Sequence, residues 1–270
     1  MENLLTFTPL GSNRQGAETS ASSKGEGASA ARGWLEGRVV ENRHWTDTLF
    51  SLRVQGVRLD FEAGQFGRIA LDVAGSRIAR AYSFVNPPQD PVLEFYMVAV
   101  PQGPLSPRLR ELKRGDTLYV APKPAGFLVP SVVPDGDTLW LISTGTGLAP
   151  FLSILRTEAT WRRFDHVVVV HAVRYGRELQ YGDVIRATAA REVTIVSREP
   201  HAGSLSGRIP AALRDGRLEA AAGLPIGSKS HVMLCGNPQM LRDATAALSE
   251  RGLRMNHRNA SGHMTVESYW

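Results

Sequence analysis

The sequence has few cysteines and no long apolar run, and each shortage removes a class of protein. Of 270 residues only Cys235 is a cysteine, so the chain cannot form an internal disulfide or hold an iron–sulfur cluster on cysteine ligands. No stretch approaches the roughly eighteen apolar residues that a membrane-spanning helix needs. The seven histidines show none of the paired spacing typical of zinc sites. We therefore expect no membrane association and no metal.

The excess of basic residues is modest. The chain has 31 Lys and Arg residues against 26 Asp and Glu residues, a formal net charge of +5, which suggests an anionic partner. Nucleic acid is the first candidate, but the arginines are scattered singly among acids, without a long basic run or a zinc finger. Nucleotide phosphates and an acidic protein fit the charge better, and we expect no binding to nucleic acid.

Residues 1–32 differ in composition from the rest of the chain. They are rich in Gly, Ala and Ser in low-complexity order, which predicts a disordered N-terminal extension. The segment has no apolar core that would make it a secretory signal, and Glu2, Glu18 and Glu26 interrupt it, unlike the acid-poor transit peptides. We interpret it as an extension without a targeting role and expect the protein to be cytoplasmic.

Residues 33–130 predict an all-β barrel. Short apolar or alternating runs are separated there by Gly, Pro and Asp. The predicted strands are 35–40, 48–54, 66–73, 81–85, 93–100 and 117–120. One helix is predicted among them, at 107–112, with Ser106 as its N-cap and a proline in its first turn. The N-terminus of such a helix is a candidate anion site.

Residues 131–270 predict a doubly wound α/β domain with a parallel sheet, because strand-like and helix-like runs alternate. The predicted strands are 138–142, 166–171, 192–196 and 231–235, and the predicted helices are 151–156, 179–191 and 238–251. Ligands of such sheets bind at the carboxyl ends of the strands, where Ser143, His171, Ser197 and Cys235 fall. The predicted fold class is therefore an antiparallel β-barrel followed by a doubly wound parallel-sheet domain.

Two short segments have the residue types of nucleotide sites. Arg80-Ala81-Tyr82-Ser83 offers a cation, a flat ring and a hydroxyl within four positions, which suits the phosphate, ring face and ring edge of a flavin. Taken alone, it could also be an ordinary amphipathic strand. Thr144-Gly145-Thr146-Gly147 lies between an apolar strand and a helix-like run, where glycines let the backbone approach a pyrophosphate. Its third glycine position holds Ala149 or Pro150, so it is not a full dinucleotide fingerprint.

Three arginines indicate which dinucleotide the second segment binds. Arg174 and Arg198 stand at the ends of the next two predicted strands, and Arg208 follows ten residues later. An enzyme specific for NAD would offer an acid there to bind a ribose hydroxyl. Each arginine alone could be an ordinary surface residue, but together they favour the extra phosphate of NADP.

In order and spacing, these segments resemble the bacterial ferredoxin (flavodoxin) NADP reductase family, over roughly residues 34–270. The matching segments are 80–83, 105–109, 144–150, 171–174, 197–199, 207–210, 235–240 and 266–270. The resemblance implies an FAD-binding barrel at 33–130 and an NADP-binding domain at 131–270, with a C-terminal tail that returns to the flavin. It also implies an oxidoreductase, working as a monomer, that passes electrons between NADPH and a one-electron carrier, ferredoxin or flavodoxin.

For the flavin, the resemblance implies that Arg80 pairs with the diphosphate, Ala81 lies in the same cradle, Tyr82 lies against the ring and Ser83 bonds near the reacting nitrogen. It places the diphosphate at the helix start formed by Leu105 and Ser106.

For the nicotinamide nucleotide, it implies that Thr144 to Gly147 hold the pyrophosphate and that Arg174, Arg198 and Arg208 hold the 2′-phosphate. Cys235 would lie beside the nicotinamide, although a lone buried cysteine is usually inert packing. Glu267 would be the active-site carboxylate, although a charged residue near a chain end is usually solvated.

The aromatic residues Tyr269 and Trp270 at the chain end favour a functional role for Glu267 over simple solvation, because large rings seldom stay free in water. We expect Trp270 to stack on the flavin adenine and Tyr269 to lie near the flavin, with the reverse arrangement left open.

Two alternatives remain open from the sequence. The first is a flavin or ferric reductase of the same superfamily, or the reductase component of an oxygenase. The second is a non-catalytic NADP-binding module that has kept the fold.

Overall fold

The computed structural model describes residues 33–257 and 259–268. The predicted extension at residues 1–32 and the terminal residues Tyr269 and Trp270 lie outside the described residues. Within the described part of the chain, no helix is long and apolar enough to span a membrane.

The first sheet is a six-stranded antiparallel barrel, as predicted. Its strands are β1 (Leu35–His44), β2 (Leu49–Gln55), β3 (Phe66–Val73), β4 (Ser76–Ser83), β5 (Leu93–Val98) and β6 (Thr117–Val120). They lie in the order β4-β3-β6-β1-β2-β5. An isolated bridge between Phe84 and Phe95 joins the two edges of the sheet. Apolar side chains such as Phe50 and Leu52, which are fully buried, fill the interior.

The second sheet is parallel throughout, which confirms the predicted doubly wound class. Its strands are β7 (Thr138–Thr144), β8 (His166–Val173), β9 (Arg191–Val196), β10 (Leu205–Ser206), β11 (Ser230–Gly236) and β12 (Met264–Ser268). The spatial order is β10-β9-β8-β7-β11-β12. The order changes direction at β7, which has β8 on one side and β11 on the other. The carboxyl end of β7 is therefore the switch point where ligands of this fold bind.

The helices are short and pack on the sheets. They are α1 (Ser106–Arg110), α2 (Ala149–Leu155), α3 (Glu158–Arg163), α4 (Gly182–Arg186), α5 (Ile209–Arg214), α6 (Arg217–Ala222) and α7 (Pro238–Ser249). Turns of 3₁₀ helix cover Pro130–Val132, Gly145–Leu148 and Gly176–Glu178.

Both faces of the second sheet are buried, which explains the continuous apolar runs of its strands. On β7, Trp140 and Ile142 point into a core shared with α5, α6 and α7. Leu139 and Leu141 point to the opposite face, whose core also takes in Tyr96 of the barrel. The barrel and the parallel sheet therefore share apolar packing.

Two predicted helices differ from the structure. The helix predicted at 107–112 is α1, which begins at Ser106 and ends at Arg110, with Leu105 in the N-cap position. The prediction of Ser106 as the N-cap is wrong, because its Oγ accepts a hydrogen bond from the Val100 N–H at 3.0 Å.

The helix predicted at 179–191 is reduced to the five residues of α4. Tyr181 precedes it in a left-handed conformation, with φ of 64°. The Thr188 hydroxyl donates to the Ile185 carbonyl at 2.7 Å and closes the chain just beyond the helix.

Candidate active site

The flavin segment lies on β4, at one edge of the barrel sheet. Arg80 and Tyr82 alternate with Ala81, so both project from the same face of the strand. The Arg80 guanidinium is exposed and donates to the neighbouring Ala79 carbonyl at 2.7 Å. Tyr82 is half-buried, and its burial raises the pKa of the phenol to about 12. The residue paired with Tyr82 on β3 is Gly67, which has no side chain to crowd the ring. An exposed cation beside a neutral ring fits a phosphate-bearing aromatic ligand.

At the start of α1, unlike on β4, the side chains are not available to a ligand. Leu105 is 1% exposed and belongs to the barrel core. Ser106 is 7% exposed, and its hydroxyl is used by Val100. The side chains at both positions are therefore occupied, and a contact with a ligand there would fall to the backbone.

The second segment forms a tight turn at the carboxyl end of β7. Gly145 has φ of +54°, and a Cβ added there would meet nothing within 4 Å. A Cβ on Gly147 would lie 2.6 Å from the Cys235 carbonyl oxygen. The Thr144 Oγ1 accepts a hydrogen bond from the Asn237 N–H at 2.9 Å. The glycines thus leave open space on one side of the turn and allow close backbone contact with β11 on the other, as a pyrophosphate site requires.

His171 supports this turn from β8. The side chain is 1% exposed, and Nε2 donates to the Gly145 carbonyl at 3.2 Å. Burial lowers the pKa of the imidazole to about 4, so the ring is neutral at physiological pH. Its position at a strand end was predicted from the sequence, but its role in holding the glycine turn was not.

The three predicted catalytic residues lie along one path between the two sheets. Cys235 on β11 pairs with Glu267 on β12 in the parallel register. A Cβ added to Gly126 would lie 3.0 Å from Glu267 Oε2 and 3.1 Å from the Phe66 ring. Phe66 pairs in turn with Ser83 across β3 and β4. The predicted hydride-transfer residues of the barrel and of the parallel sheet are therefore linked through Phe66 and Gly126.

The protonation of this region is set by burial. Burial raises the pKa of Glu267 to about 7, although a hydrogen bond from the Phe127 N–H opposes the rise. The carboxyl can therefore hold or release a proton near neutral pH. Burial, with the nearby Glu267, also raises the pKa of the Cys235 thiol well above its usual range. Cys235 is consequently a neutral thiol and not a nucleophile.

The predicted phosphate arginines lie together at the carboxyl edge of the parallel sheet. The Arg198 N–H donates to the Arg174 carbonyl at 2.9 Å, so the two residues are direct neighbours. Gly207, next to Arg208, donates its N–H to Val196 at the end of β9. All three arginines are exposed, and within the described residues none of them forms an ion pair.

An aromatic residue missed by the sequence analysis lies among these arginines. The Tyr175 ring has the Arg198 guanidinium 5.9 Å from its centroid and the Arg177 guanidinium at 4.8 Å. Glu178 accepts hydrogen bonds from the N–H groups of Arg174 and Tyr175 at 2.9 and 3.2 Å, which fixes the backbone of this corner. The position of Tyr175 directly after Arg174 was the available signal.

The edge strand of the barrel carries an aromatic ring and a cation, and the barrel packs on a parallel sheet that has a glycine turn at its switch point. This combination is typical of the class of nicotinamide-nucleotide oxidoreductases. The family model of the oxidoreductase NAD-binding domain matches residues 141–246. A flavodoxin/ferredoxin–NADP reductase of Shigella flexneri is 49% identical over 245 residues, which cover 88% of this chain and 99% of the relative. A ferredoxin–NADP reductase of Pseudomonas aeruginosa is 39% identical over 237 residues, covering 82% of this chain and 91% of the relative.

A solved structure gives the same result. The ferredoxin NADP⁺ reductase of Neisseria gonorrhoeae with bound FAD and NADP has a TM-score of 0.84 and 32% identity, covering 87% of this chain and 98% of that chain. The chain belongs to the flavodoxin/ferredoxin–NADP reductase family. It is an oxidoreductase, as the sequence predicted.

Proposed function

We propose that this protein is an FAD-dependent reductase that passes electrons between NADPH and ferredoxin or flavodoxin. The observation that carries the proposal is the path from Ser83 through Phe66 and Gly126 to Glu267 and Cys235. This path would join the proposed flavin cradle to the proposed nicotinamide site. When bound, FAD supplies the exchange between two-electron transfer with NADPH and one-electron transfer with the carrier.

On the barrel, residues 33–130 would bind FAD. The exposed Arg80 guanidinium would pair with the diphosphate, and Ala81 and Tyr82 would continue the cradle along the same strand. The Tyr82 ring would exclude water from one face of the flavin, while Ser83, at the end of β4, would contact its reacting edge. Leu105 and Ser106 would contribute backbone contacts to the diphosphate.

On the parallel sheet, residues 131–270 would bind NADP(H). The turn from Thr144 through Gly147 would hold the pyrophosphate, with His171 keeping the Gly145 peptide in place. The phosphate-specific contacts are assigned to Arg174, Arg198 and Arg208, whose exposed guanidinium groups can form charge-assisted hydrogen bonds to a 2′-phosphate.

At the junction, the neutral Cys235 thiol would pack beside the nicotinamide. Glu267 would hold a proton on its carboxyl group, because its pKa of about 7 leaves both protonation states accessible. Tyr269 and Trp270 are assigned to the flavin and its adenine, with the choice between them open.

The proposal extends to the electron acceptor, the cellular location and the oligomeric state of the protein. The net charge of +5 suits an acidic electron carrier. We place the protein in the cytoplasm as a monomer, where NADPH and the carrier can both reach the junction by diffusion. Light scattering of the purified protein tests the monomer.

The purified protein tests the proposal through its colour. It should be yellow, contain one FAD per chain, and bleach under anaerobic conditions when NADPH is added. A colourless protein, or a yellow one that NADPH does not bleach, would exclude the reductase and favour a non-catalytic module.

A further inference from the structure

The connection between the two sheets, residues 125–127, passes directly beside Glu267. Ala125 is fixed on β3, because the Phe66 N–H donates to the Ala125 carbonyl at 2.8 Å and the Ala125 N–H donates to the Phe66 carbonyl at 2.9 Å. Gly126 follows with φ of +112°. The next residue, Phe127, donates its N–H to the Glu267 carboxyl group.

The space at Gly126 is already taken on both sides. A Cβ there would lie 3.0 Å from Glu267 Oε2 and 3.1 Å from Cδ1 of the Phe66 ring. Both contacts are tighter than ordinary van der Waals contact, and the left-handed backbone is itself unfavourable for a residue with a side chain. The carboxylate and the ring therefore occupy the volume that a side chain would fill.

The segment 125–127 also lies between the two pairs of strands that hold the proposed catalytic residues. On one side, Phe66 pairs with Ser83 on β4. On the other side, Glu267 pairs with Cys235 on β11. A shift of the backbone at Gly126 would change the position of the carboxyl group relative to Ser83.

We propose that Gly126 is a positioning residue for the reaction: its bare backbone lets the Ala125–Phe127 segment hold the Glu267 carboxylate at a fixed place relative to Ser83. This inference rests on the proposed function, in which Glu267 lies beside the reacting nucleotides.

Among residues 33–257 and 259–268, Glu267 has few titratable neighbours. From β11 it faces the Cys235 thiol, which stays neutral because burial raises its pKa. From the connection it meets the backbone of Gly126 and Phe127, and from β3 the Phe66 ring, none of which titrates. The hydrogen bond from Phe127 is thus the contact that a change at Gly126 would alter.

The variant that tests the proposal is Gly126→Ala in the FAD-loaded full-length protein. The added methyl group lies against Oε2, moves the carboxyl group away from the Phe127 N–H and excludes water from the carboxylate. Both effects disfavour the charged form, so the pKa of Glu267 should rise by about one unit. The measurement is a carbon-13 NMR titration of labelled glutamate side chains, with Glu267→Gln identifying the resonance.

Gly115→Ala is the matched control. Gly115 also has a left-handed backbone, with φ of +94°, but a Cβ there would meet nothing within 4 Å. The strain of the substitution is therefore present without the contact. In this control the pKa of Glu267 should equal that of the wild type, and both variants should retain FAD.

A second measurement needs no substitution at Gly126, so a folding failure of that variant leaves the proposal testable. In the wild type, the amide proton of Phe127 should shift with the titration of Glu267, and this shift should vanish in Glu267→Gln. An unchanged or lower pKa in Gly126→Ala, an equal rise in Gly115→Ala, or a Phe127 amide that ignores the titration would each overturn the proposal.

The kinetic readout separates this inference from the proposed function. The pH profile of flavin bleaching by NADPH should move to higher pH in Gly126→Ala and stay in place in Gly115→Ala. If NADPH bleaches no variant, including the wild type, the proposed function fails, whereas the NMR comparison still decides whether Gly126 positions the carboxylate.

Discussion

Replacing Gly147 with alanine should weaken NADP⁺ binding, because the added methyl group would press against the backbone of β11. A Cβ at this position would lie 2.6 Å from the Cys235 carbonyl oxygen, 2.9 Å from its carbonyl carbon and 3.0 Å from the Gly236 Cα. All three are backbone atoms, so none can rotate away as a side chain could. The backbone of Gly147 is outside the left-handed region, and the substitution therefore adds no conformational strain of its own.

The size of the effect follows from the distances. Carbon and oxygen atoms in ordinary contact are about 3.5 Å apart, so the turn must move from β11 by roughly 1 Å. Forced overpacking of this kind costs about 1–3 kcal/mol. If the moved turn fits the pyrophosphate less well by about 1.4 kcal/mol, the dissociation constant for NADP⁺ rises about tenfold.

The assay combines urea unfolding with titration of NADP⁺ into the FAD-loaded protein. Gly227→Ala is the control, because Gly227 also lacks a left-handed backbone and its Cβ would meet nothing within 4 Å. Gly147→Ala should lose both stability and NADP⁺ affinity, while Gly227→Ala should keep both. Wild-type NADP⁺ affinity in Gly147→Ala would refute the assignment of this turn to the pyrophosphate.

Two further substitutions test the coenzyme site and the contact between the sheets. Arg198→Ala should lower kcat/KM for NADPH by about 10- to 100-fold and leave that for NADH nearly unchanged, since a charge-assisted phosphate contact is lost. Arg162→Ala, at an exposed position of α3, should change neither, and equal losses for both coenzymes would contradict the assignment. Tyr181→Phe should lower the free energy of unfolding by about 1–3 kcal/mol, because its hydroxyl bonds Ser51 Oγ at 2.5 Å and Glu94 Oε1 at 2.9 Å. An unchanged urea midpoint would show that this buried link between barrel and parallel sheet adds no stability.

The sequence predicted those elements whose pattern is local. The run Val167 to Val170 is buried on both faces of a parallel sheet, so its composition indicated a strand directly. Alternation in 66–73 likewise gave β3 with its observed bounds. The nucleotide segments were found because cations, rings and glycines occupy short stretches of sequence.

The remaining features depend on contacts distant in sequence. Tyr181 is drawn out of the predicted helix by hydrogen bonds to Ser51 and Glu94, which a local pattern cannot reveal. Strand β12 was predicted only as a tail, because its strand character comes from pairing with β11. The proximity of Gly126 to Glu267 joins residues more than a hundred positions apart, and only the folded structure shows it.

In the proposed reaction, electrons from NADPH leave this protein one at a time to a small carrier. Stopped-flow mixing of the NADPH-reduced protein with oxidised ferredoxins and flavodoxins, without oxygen, tests it most directly. At least one carrier should be reduced in steps that match the return of the yellow colour, and NADPH should support this far better than NADH. No reduction of any carrier, or equal efficiency with the two coenzymes, would contradict it.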